Sequence, residues 1–262
     1  MHTTRHQALR WLLCHDPVDK ARGVRGLDPL AEAGAAEALA EPPGIPGRPE
    51  RPALVAHTRL KPRSAMTREG RAALLHALAH IELNAIDLAL DICWRFAGAP
   101  EAFYRQWLQV AREEALHFEL LREHLATLGH RYGDFDAHDG LWQMAERTRH
   151  DLLARLALVP RTLEARGLDA SPAVKAKLLA AGDVRGGEIL DLILRDEIGH
   201  VAVGNHWYRW LCAQRGLDPL ATYAELATRH GAPRPRGPFN LAARRAAGFD
   251  EAELAALDSI AP

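Results

Sequence analysis

Apolar residues recur every three to four positions along most of the chain between Thr67 and Leu211. This spacing places them on one face of an α-helix, and the stretch lacks the strict alternation that marks a half-buried strand. Four long helices in one segment are typical of a helical bundle, so we expect an all-α fold. The predicted helices span about 67–96, about 100–128, a part of 139–168, and about 183–214.

Residues at the helix ends support these boundaries. Pro100 suits the first turn of the second helix, Gly129 closes that helix, and Asp183 suits the N-cap of the fourth. The third helix is expected to end before Gly167, because a glycine and then Pro172 interrupt the pattern there.

The segments before and after the predicted bundle lack long helical periodicity and are richer in proline. The first 40 residues predict two or three short amphipathic helices, and EPPGIPGRPERPALV, residues 41–55, is too rich in proline for a helix or a central strand. A C-terminal helical tail follows the bundle, with a proline-broken loop, GAPRPRGPFN, and a final short helix. We therefore predict three segments: an N-terminal helical and extended segment 1–66, a four-helix bundle 67–215, and a tail 216–262.

Composition adds few constraints. The 262 residues are 48% hydrophobic and carry a formal net charge of −1, which gives no general bias toward nucleic acid or anionic membranes. Three widely spaced cysteines do not predict a disulfide framework. The N-terminus is a poor signal peptide, and no apolar run approaches the roughly 20 residues of a membrane span. We expect a cytoplasmic protein with no membrane partner.

One motif occurs twice. Glu114 and His117 on the second helix are three residues apart, as are Glu197 and His200 on the fourth, so each pair can share a helix face. A single carboxylate precedes each pair at a matched interval: Glu114 follows Glu82 by 32 residues, and Glu197 follows Glu164 by 33.

These carboxylates lie among apolar neighbours. The positions three, four and seven residues from Glu82, Glu114 and Glu197 are almost all apolar, whereas Glu164 also has Pro160 and Arg161 beside it. Buried carboxylates cost several kcal/mol each unless a positive charge compensates them, and no lysine or arginine lies on the first three stripes. Four carboxylates and two imidazoles suit two first-row ions, iron or manganese, whereas zinc is served by four ligands.

The depth of the ligands bears on the third helix. Glu82, Glu114 and Glu197 each lie 14–15 residues after a predicted helix start, about 22 Å along the helix axis. If Glu164 lies at the same depth, the third helix begins near Arg149, residues 129–148 form a long crossover, and Pro160 kinks that helix.

The chain resembles the ferritin-like superfamily of di-metal carboxylate proteins, and more closely a bacterial ferritin-like family of unknown function. The phrases that carry the resemblance are GRAALLHALAHIELNAIDLALD, EEALHFELL, YGDFDAHDGLW, LARLALVPRTLEARGLD, DEIGHVAVGNHW, PFN and AGF. The tRNA hydroxylases that act on a modified adenosine are similar in fold and ligand pattern. The resemblance implies a ferritin-like four-helix bundle with six metal ligands: Glu82, Glu114, His117, Glu164, Glu197 and His200.

The function expected from this set is a redox enzyme with two irons, of oxygenase, oxidase or peroxidase type. Manganese, a mixed iron–manganese pair, or adventitious zinc are alternative occupants. The expected partners are O2 or peroxide, an organic or RNA substrate, an electron donor, and a second copy in a homodimer. Two other functions stay open: metal handling of the ferroxidase type, and a metal-stabilised binding module without catalysis.

Other polar residues are weaker candidates. His76 and His80 are four residues apart on the first helix, and Asp87, Asp91 and Asp196 suit carboxylates that orient ligating histidines. His76 and His80 are expected to be partly exposed or to orient a ligand rather than to bind metal, and Asp196 is expected on the helix surface. Arginines near both ends of the chain could dock RNA, although solubility is the commoner reason for such residues: Arg48, Arg51, Arg59, Arg63, Arg229, Arg234 and Arg236, with Lys61.

Overall fold

A computed structural model describes residues 3–61 and 63–258, and over these ranges the chain is helical, without β-strands. The α-helices are α1 Thr4–Leu12, α2 Pro17–Arg25, α3 Arg68–Arg95, α4 Glu101–Thr127, α5 Gly140–Arg147, α6 Leu152–Leu158, α7 Ala165–Ala180, α8 Val184–Arg215, α9 Pro219–Arg229, α10 Leu241–Ala246 and α11 Glu251–Asp258. A π-helical turn, Val159–Glu164, joins α6 to α7, and a 3₁₀ turn spans His57–Arg59.

The chain divides into two compact units. The first unit comprises Met1–Trp142 and Leu178–Ile189, and the second comprises Gln143–Lys177 and Leu190–Pro262. The predicted division into three segments stays a prediction.

The first unit is built around the hairpin of α3 and α4. The Thr67 hydroxyl accepts a hydrogen bond from the backbone N–H of Gly70 at 3.0 Å and so caps the start of α3. Gly129 follows α4 with φ +79°, a conformation that glycine adopts without the steric penalty of a Cβ atom. Both predicted helices are confirmed to within a residue or two at each end.

The N-terminal helices pack on this hairpin, α1 against α3 and α2 against α4. Arg5 is buried and donates hydrogen bonds to the carbonyl oxygens of Cys93 and Trp94, which lie in the last turn of α3 and have no acceptor role inside the helix. The proline-rich segment is extended, as predicted, and a single parallel bridge joins Leu54 to Ala137.

The third helix begins within three residues of Arg149, as predicted, but other parts of its prediction are wrong. Its start is marked by Asp151, whose carboxylate accepts from the backbone N–H groups of Leu153 and Ala154, and the predicted crossover contains a helix of its own, α5. The helix also does not end before Gly167, because α7 continues to Ala180.

Pro172 is accommodated inside α7 by a residue far along the chain. Proline has no N–H for the carbonyl of Leu168, four residues earlier, and that oxygen instead accepts from the side-chain amide of Asn240 at 3.2 Å. Local sequence predicts that Pro172 ends the helix. The hydrogen bond from Asn240, a tertiary contact within the second unit, satisfies the carbonyl that the proline leaves free, and the helix continues.

The predicted tail forms part of the core of the second unit. Phe249 and Leu254 pack with Leu168 and Val201, and the buried ion pair of Arg244 with Asp169, at 2.6 Å, ties α10 to α7. Residues between α9 and α10 form the predicted loop, and the single final helix that we expected is preceded by α9 and α10.

One helix in the described ranges, α3, is long and apolar enough to cross a membrane by length and composition alone. Its most apolar 18-residue window has a mean hydropathy of 1.3, but 72% of that window is buried inside the protein. Burial of this kind is also found in core helices, so α3 is weak support for a membrane span.

Candidate metal centre

Three of the predicted ligands converge in the first unit. The imidazole nitrogen Nδ1 of His117 lies 3.2 Å from Oε2 of Glu82 and 3.3 Å from Oε2 of Glu114. The three side chains offer ligand atoms within 4.8 Å of one another, and at most 3% of any of these residues is exposed. We call Glu82, Glu114 and His117 the α3–α4 trio.

The register of the hairpin explains this convergence. Glu82 lies in the middle of α3, flanked by the buried Ala79 and Ile86, and Glu114 lies in the middle of α4 between the buried Ala111 and Phe118. Because the helices pack as neighbours, the two apolar stripes meet and bring their carboxylates together. His117 shares the face of Glu114, one helical turn away.

Burial and proximity shift the protonation of the trio. Burial and the charge of Glu114 raise the pKa of Glu82 to about 8. Burial lowers the pKa of His117, but hydrogen bonds and charge from Glu114 and Glu82 outweigh that effect and raise it to about 11. Without a metal, Glu82 and His117 are therefore protonated near neutral pH. These protons take the place of the positive charge that a metal ion would supply.

The second unit carries the other ExxH pair on α8. Asp183 caps this helix by accepting from the backbone N–H of Gly186 at 2.8 Å, as predicted. His200 is 1% exposed and Glu197 is 8% exposed, with Nδ1 of the histidine 4.0 Å from Oε2 of the glutamate. Both side chains lie on one buried face of the helix.

Glu164 lies at the end of the π-helical turn and is half-buried. The helix is irregular at Pro160, because the π turn begins at the residue before it, and the predicted kink stays a prediction. The hydroxyl of Thr162 donates to the carbonyl of Ala157 at 2.9 Å, within this irregular stretch. Single π turns inside helices are frequent at functional sites, because the extra residue changes the direction of the side chains that follow.

The weaker candidates make structural contacts. His76 accepts from the backbone N–H of Gly133 at 2.9 Å, and His80 makes hydrogen bonds with the Tyr132 hydroxyl and the carbonyl of His138. Both histidines therefore anchor the segment after α4.

The aspartates proposed to orient ligating histidines pair with cations. Asp87 accepts from the ammonium group of Lys20 at 2.5 Å, and Asp91 accepts from the guanidinium of Arg95 at 2.8 Å. Asp196 accepts from Arg195 at 2.8 Å. Each of these three carboxylates therefore pairs with a cation, and the side chain of Asp196, expected on the surface, is 13% exposed.

Comparison with known proteins gives a family. The profile of a family described as "Protein of unknown function (DUF455)" matches residues 13–255. The chain belongs to the DUF455 family. An uncharacterised protein of Haemophilus influenzae is 53% identical over 213 residues, which is 79% of this chain and 74% of that protein. No solved structure matches significantly. The resemblance to a family of unknown function is thus confirmed, and membership of DUF455 brings no activity with it.

The donor set fits a divalent or trivalent first-row metal ion. Two carboxylates and an imidazole, closely spaced and buried, offer the mixed oxygen and nitrogen ligation that iron and manganese accept. Carboxylates and histidines are also the ligands of the di-iron helical bundles. The buried Glu and His residues of this DUF455 protein are therefore able to bind a metal.

Sequence reasoning did not identify the buried cations of this chain. Among them are Lys20, which is 1% exposed, and Arg161, which is 4% exposed.

Proposed function

We propose that this protein is a ferritin-like di-metal carboxylate protein that acts as a redox enzyme on O2 or peroxide. The observation that carries the proposal is the α3–α4 trio, in which two carboxylates and a histidine from neighbouring helices converge in the core. Iron is the metal that suits this chemistry best, and manganese is the alternative.

The other predicted ligands follow from the repeated sequence motif. The α8 helix carries the same ExxH motif, Glu197 and His200, and Glu164 precedes it at nearly the interval that separates Glu82 from Glu114. The residues that would hold the two ions are the six predicted ligands: Glu82, Glu114, His117, Glu164, Glu197 and His200. The repeated motif supports this set.

Two reduced iron ions, when bound, supply two electrons together to O2 or peroxide. The chain itself contributes ligands and a dry environment. The apolar neighbours Ile86, Ala111 and Phe118 are fully buried beside the trio and keep water away from it. Glu82 and His117, which hold protons in the metal-free protein, release them when their oxygen and nitrogen atoms become ligands.

The reactions compatible with such a centre are hydroxylation or desaturation of an organic or RNA substrate, and reduction of peroxide. We favour an organic substrate. The sequence contains no aromatic-rich motif of the kind that stacks bases in RNA-binding modules. A homodimer in the cytoplasm is part of the same proposal.

The test is metal loading of matched variants. The purified chain is loaded anaerobically with Fe(II), and bound metal is measured by elemental analysis before and after exposure to O2. We expect about two equivalents of iron in the native chain and a loss of most of it in Glu114→Ala and in Glu197→Ala. Glu113→Ala is the control, because Glu113 lies beside the trio on α4 but hydrogen-bonds Gln109 at 2.8 Å.

The outcomes separate the candidate functions. Full metal retention in both Glu114→Ala and Glu197→Ala would show that the ligands are misassigned. Exclusive, redox-silent zinc binding would favour a metal-stabilised binding module. A 24-subunit shell in solution that oxidises and stores iron would favour metal handling over an enzyme with an organic substrate.

A further inference from the structure

The second unit contains an apolar cavity of about 120 Å³. It lies beside the π-helical turn and is lined by residues from that turn, from α7, from α9 to α11 and from the loops that join α9, α10 and α11. Its apolar walls include Leu220, Tyr223, Pro233, Phe239, Phe249 and Leu257. A cavity of about 150 Å³ with such walls admits benzene, so this cavity suits one ring or a short branched chain.

A buried arginine lies in the wall of this cavity. Arg161 stacks on the ring of Tyr208, with 4.1 Å from its guanidinium carbon to the ring centroid, and also faces the rings of Tyr223 and Phe249. Its Nε donates to the side-chain oxygen of Asn205 at 2.5 Å, and its Nη2 donates to the Glu253 carboxylate.

One donor of this guanidinium is left over. Nη1 of Arg161 is shielded from solvent and has no hydrogen-bond partner in the ranges 3–61 and 63–258. A buried polar group without a partner is costly, and the cost is higher for a charged group. Arg161 lines the cavity, so an acceptor bound there lies beside this guanidinium.

The charges around the cavity also favour an anion. Four arginines line it, Arg161, Arg166, Arg236 and Arg244, against two acids, Asp169 and Glu253. Both acids are already engaged: Asp169 with Arg244 at 2.6 Å, and Glu253 with Arg161 and with Arg209, which lies outside the lining. The lining therefore has two more cationic than anionic side chains.

We propose that this cavity binds a small monocarboxylate with an aromatic or branched apolar body. The carboxylate accepts a charge-assisted hydrogen bond from Nη1 of Arg161, and the apolar body fills the space between Tyr223, Phe249 and Leu257. This inference goes beyond the proposed redox function and stands without it, because all the residues that carry it lie in the second unit and none is a predicted metal ligand.

The first experiment is titration calorimetry on the full-length, metal-free chain with three probes. Phenylacetate is expected to bind, phenylacetamide to bind at least about tenfold more weakly because it lacks the charge, and acetate to bind at least about tenfold more weakly because it lacks the ring. Equal binding of phenylacetate and phenylacetamide, or no binding of phenylacetate, would overturn the proposal.

Carboxylates also bind metal ions, so residual metal at the proposed centre must be excluded as the source of binding. Glu114→Ala is titrated with phenylacetate under the same conditions. Unchanged affinity excludes the metal centre as the binding site, whereas loss of binding would assign it there and refute a cavity site.

Matched arginine variants locate the site. Arg161→Met is expected to lower the affinity for phenylacetate at least about tenfold, and Arg209→Met to leave it within about twofold, although both remove an arginine from Glu253. An equal loss in both variants would show a structural effect and contradict the proposal.

A second variant keeps the test valid if Arg161→Met does not fold. Leu257→Trp leaves every charge in place and fills part of the cavity, and it is expected to abolish phenylacetate binding while retaining native helicity by circular dichroism. Binding as tight as in the native chain would place the ligand elsewhere and overturn the proposal.

Discussion

At the scale of single residues, the protein is marked by charged side chains that are buried. Lys20 and Asp87 form an ion pair with about 2% and 4% of their side chains exposed, and Lys20 also donates to the carbonyl of Gly47 at 3.0 Å. Burial raises the pKa of Asp87, and the charge and hydrogen bond of Lys20 oppose that shift. Removing one partner of such a pair leaves an uncompensated charge in the core.

We therefore expect Lys20→Met to lower the free energy of unfolding by about 3–5 kcal/mol. The control is Arg22→Met, since Arg22 and its partner Asp19 are largely exposed and 3.5 Å apart, and an effect below about 1 kcal/mol is expected. Urea denaturation followed by circular dichroism measures both. The double variant Lys20→Met with Asp87→Leu should recover part of the loss, and a loss equal to the sum of the two single variants would contradict a direct pairing.

At the scale of helices, close approach is set by small side chains. Gly204 of α8 lies against Pro160 of the π turn, and a Cβ atom at position 204 would lie 2.5 Å from Cβ of Pro160. Gly199, five residues earlier on α8, is exposed, and a Cβ atom added there would meet nothing within 4 Å. Two glycines on one helix therefore have different roles.

Alanine substitutions at these glycines should change stability in opposite directions. Gly204→Ala is expected to lower the free energy of unfolding by about 1–3 kcal/mol, because it forces the turn at Pro160 away from α8. Gly199→Ala is expected to raise it by up to about 1 kcal/mol, because alanine favours an exposed helix position over glycine. Thermal and urea denaturation measure both, and destabilisation by both substitutions would show that the glycines share some other role.

At the scale of the whole molecule, metal binding and protonation are linked. In the metal-free protein, Glu82 and His117 have pKa values raised to about 8 and about 11, so the folded trio binds more protons than the unfolded chain. Protonation of Glu82 therefore contributes fully to stability below about pH 4.5, and this contribution is lost as the pH rises through about 8. Protonation of His117 contributes fully below about pH 6.5, and this contribution is lost as the pH rises through about 11.

We expect metal to reverse this dependence, because bound ions need deprotonated ligands. The rise in melting temperature on loading with Fe(II) or Mn(II) should be larger at pH 8.5 than at pH 6, and a ligand at 100 times its Kd adds about 2.7 kcal/mol. Differential scanning calorimetry of the full-length chain measures the rise at both pH values. Glu82→Gln should weaken the pH dependence, and a rise that is independent of pH would contradict coordination by the trio.

Some helices and some site residues could be predicted from the sequence. All of them could be predicted for the same physical reason. Helical periodicity placed α3, α4 and α8, because each of these helices buries one long apolar stripe. The same periodicity placed Glu82, Glu114 and His117 on the stripes of neighbouring helices, and the first unit brings them together. Local signals and tertiary packing agree at these positions.

Only the tertiary structure decided the course of the third helix and the contents of the second unit. By local rules Pro172 is a helix breaker, because it has no N–H for the carbonyl of Leu168. Asn240, 68 residues after the proline, donates a hydrogen bond to that carbonyl instead. In the sequence, Arg161 resembles a surface charge. In the structure, three aromatic rings and Glu253 surround it. Local sequence determines which backbone is favoured and which side chains are apolar. A breaker or a charge is tolerated in the core only through partners that are distant in the chain, and no local pattern contains them.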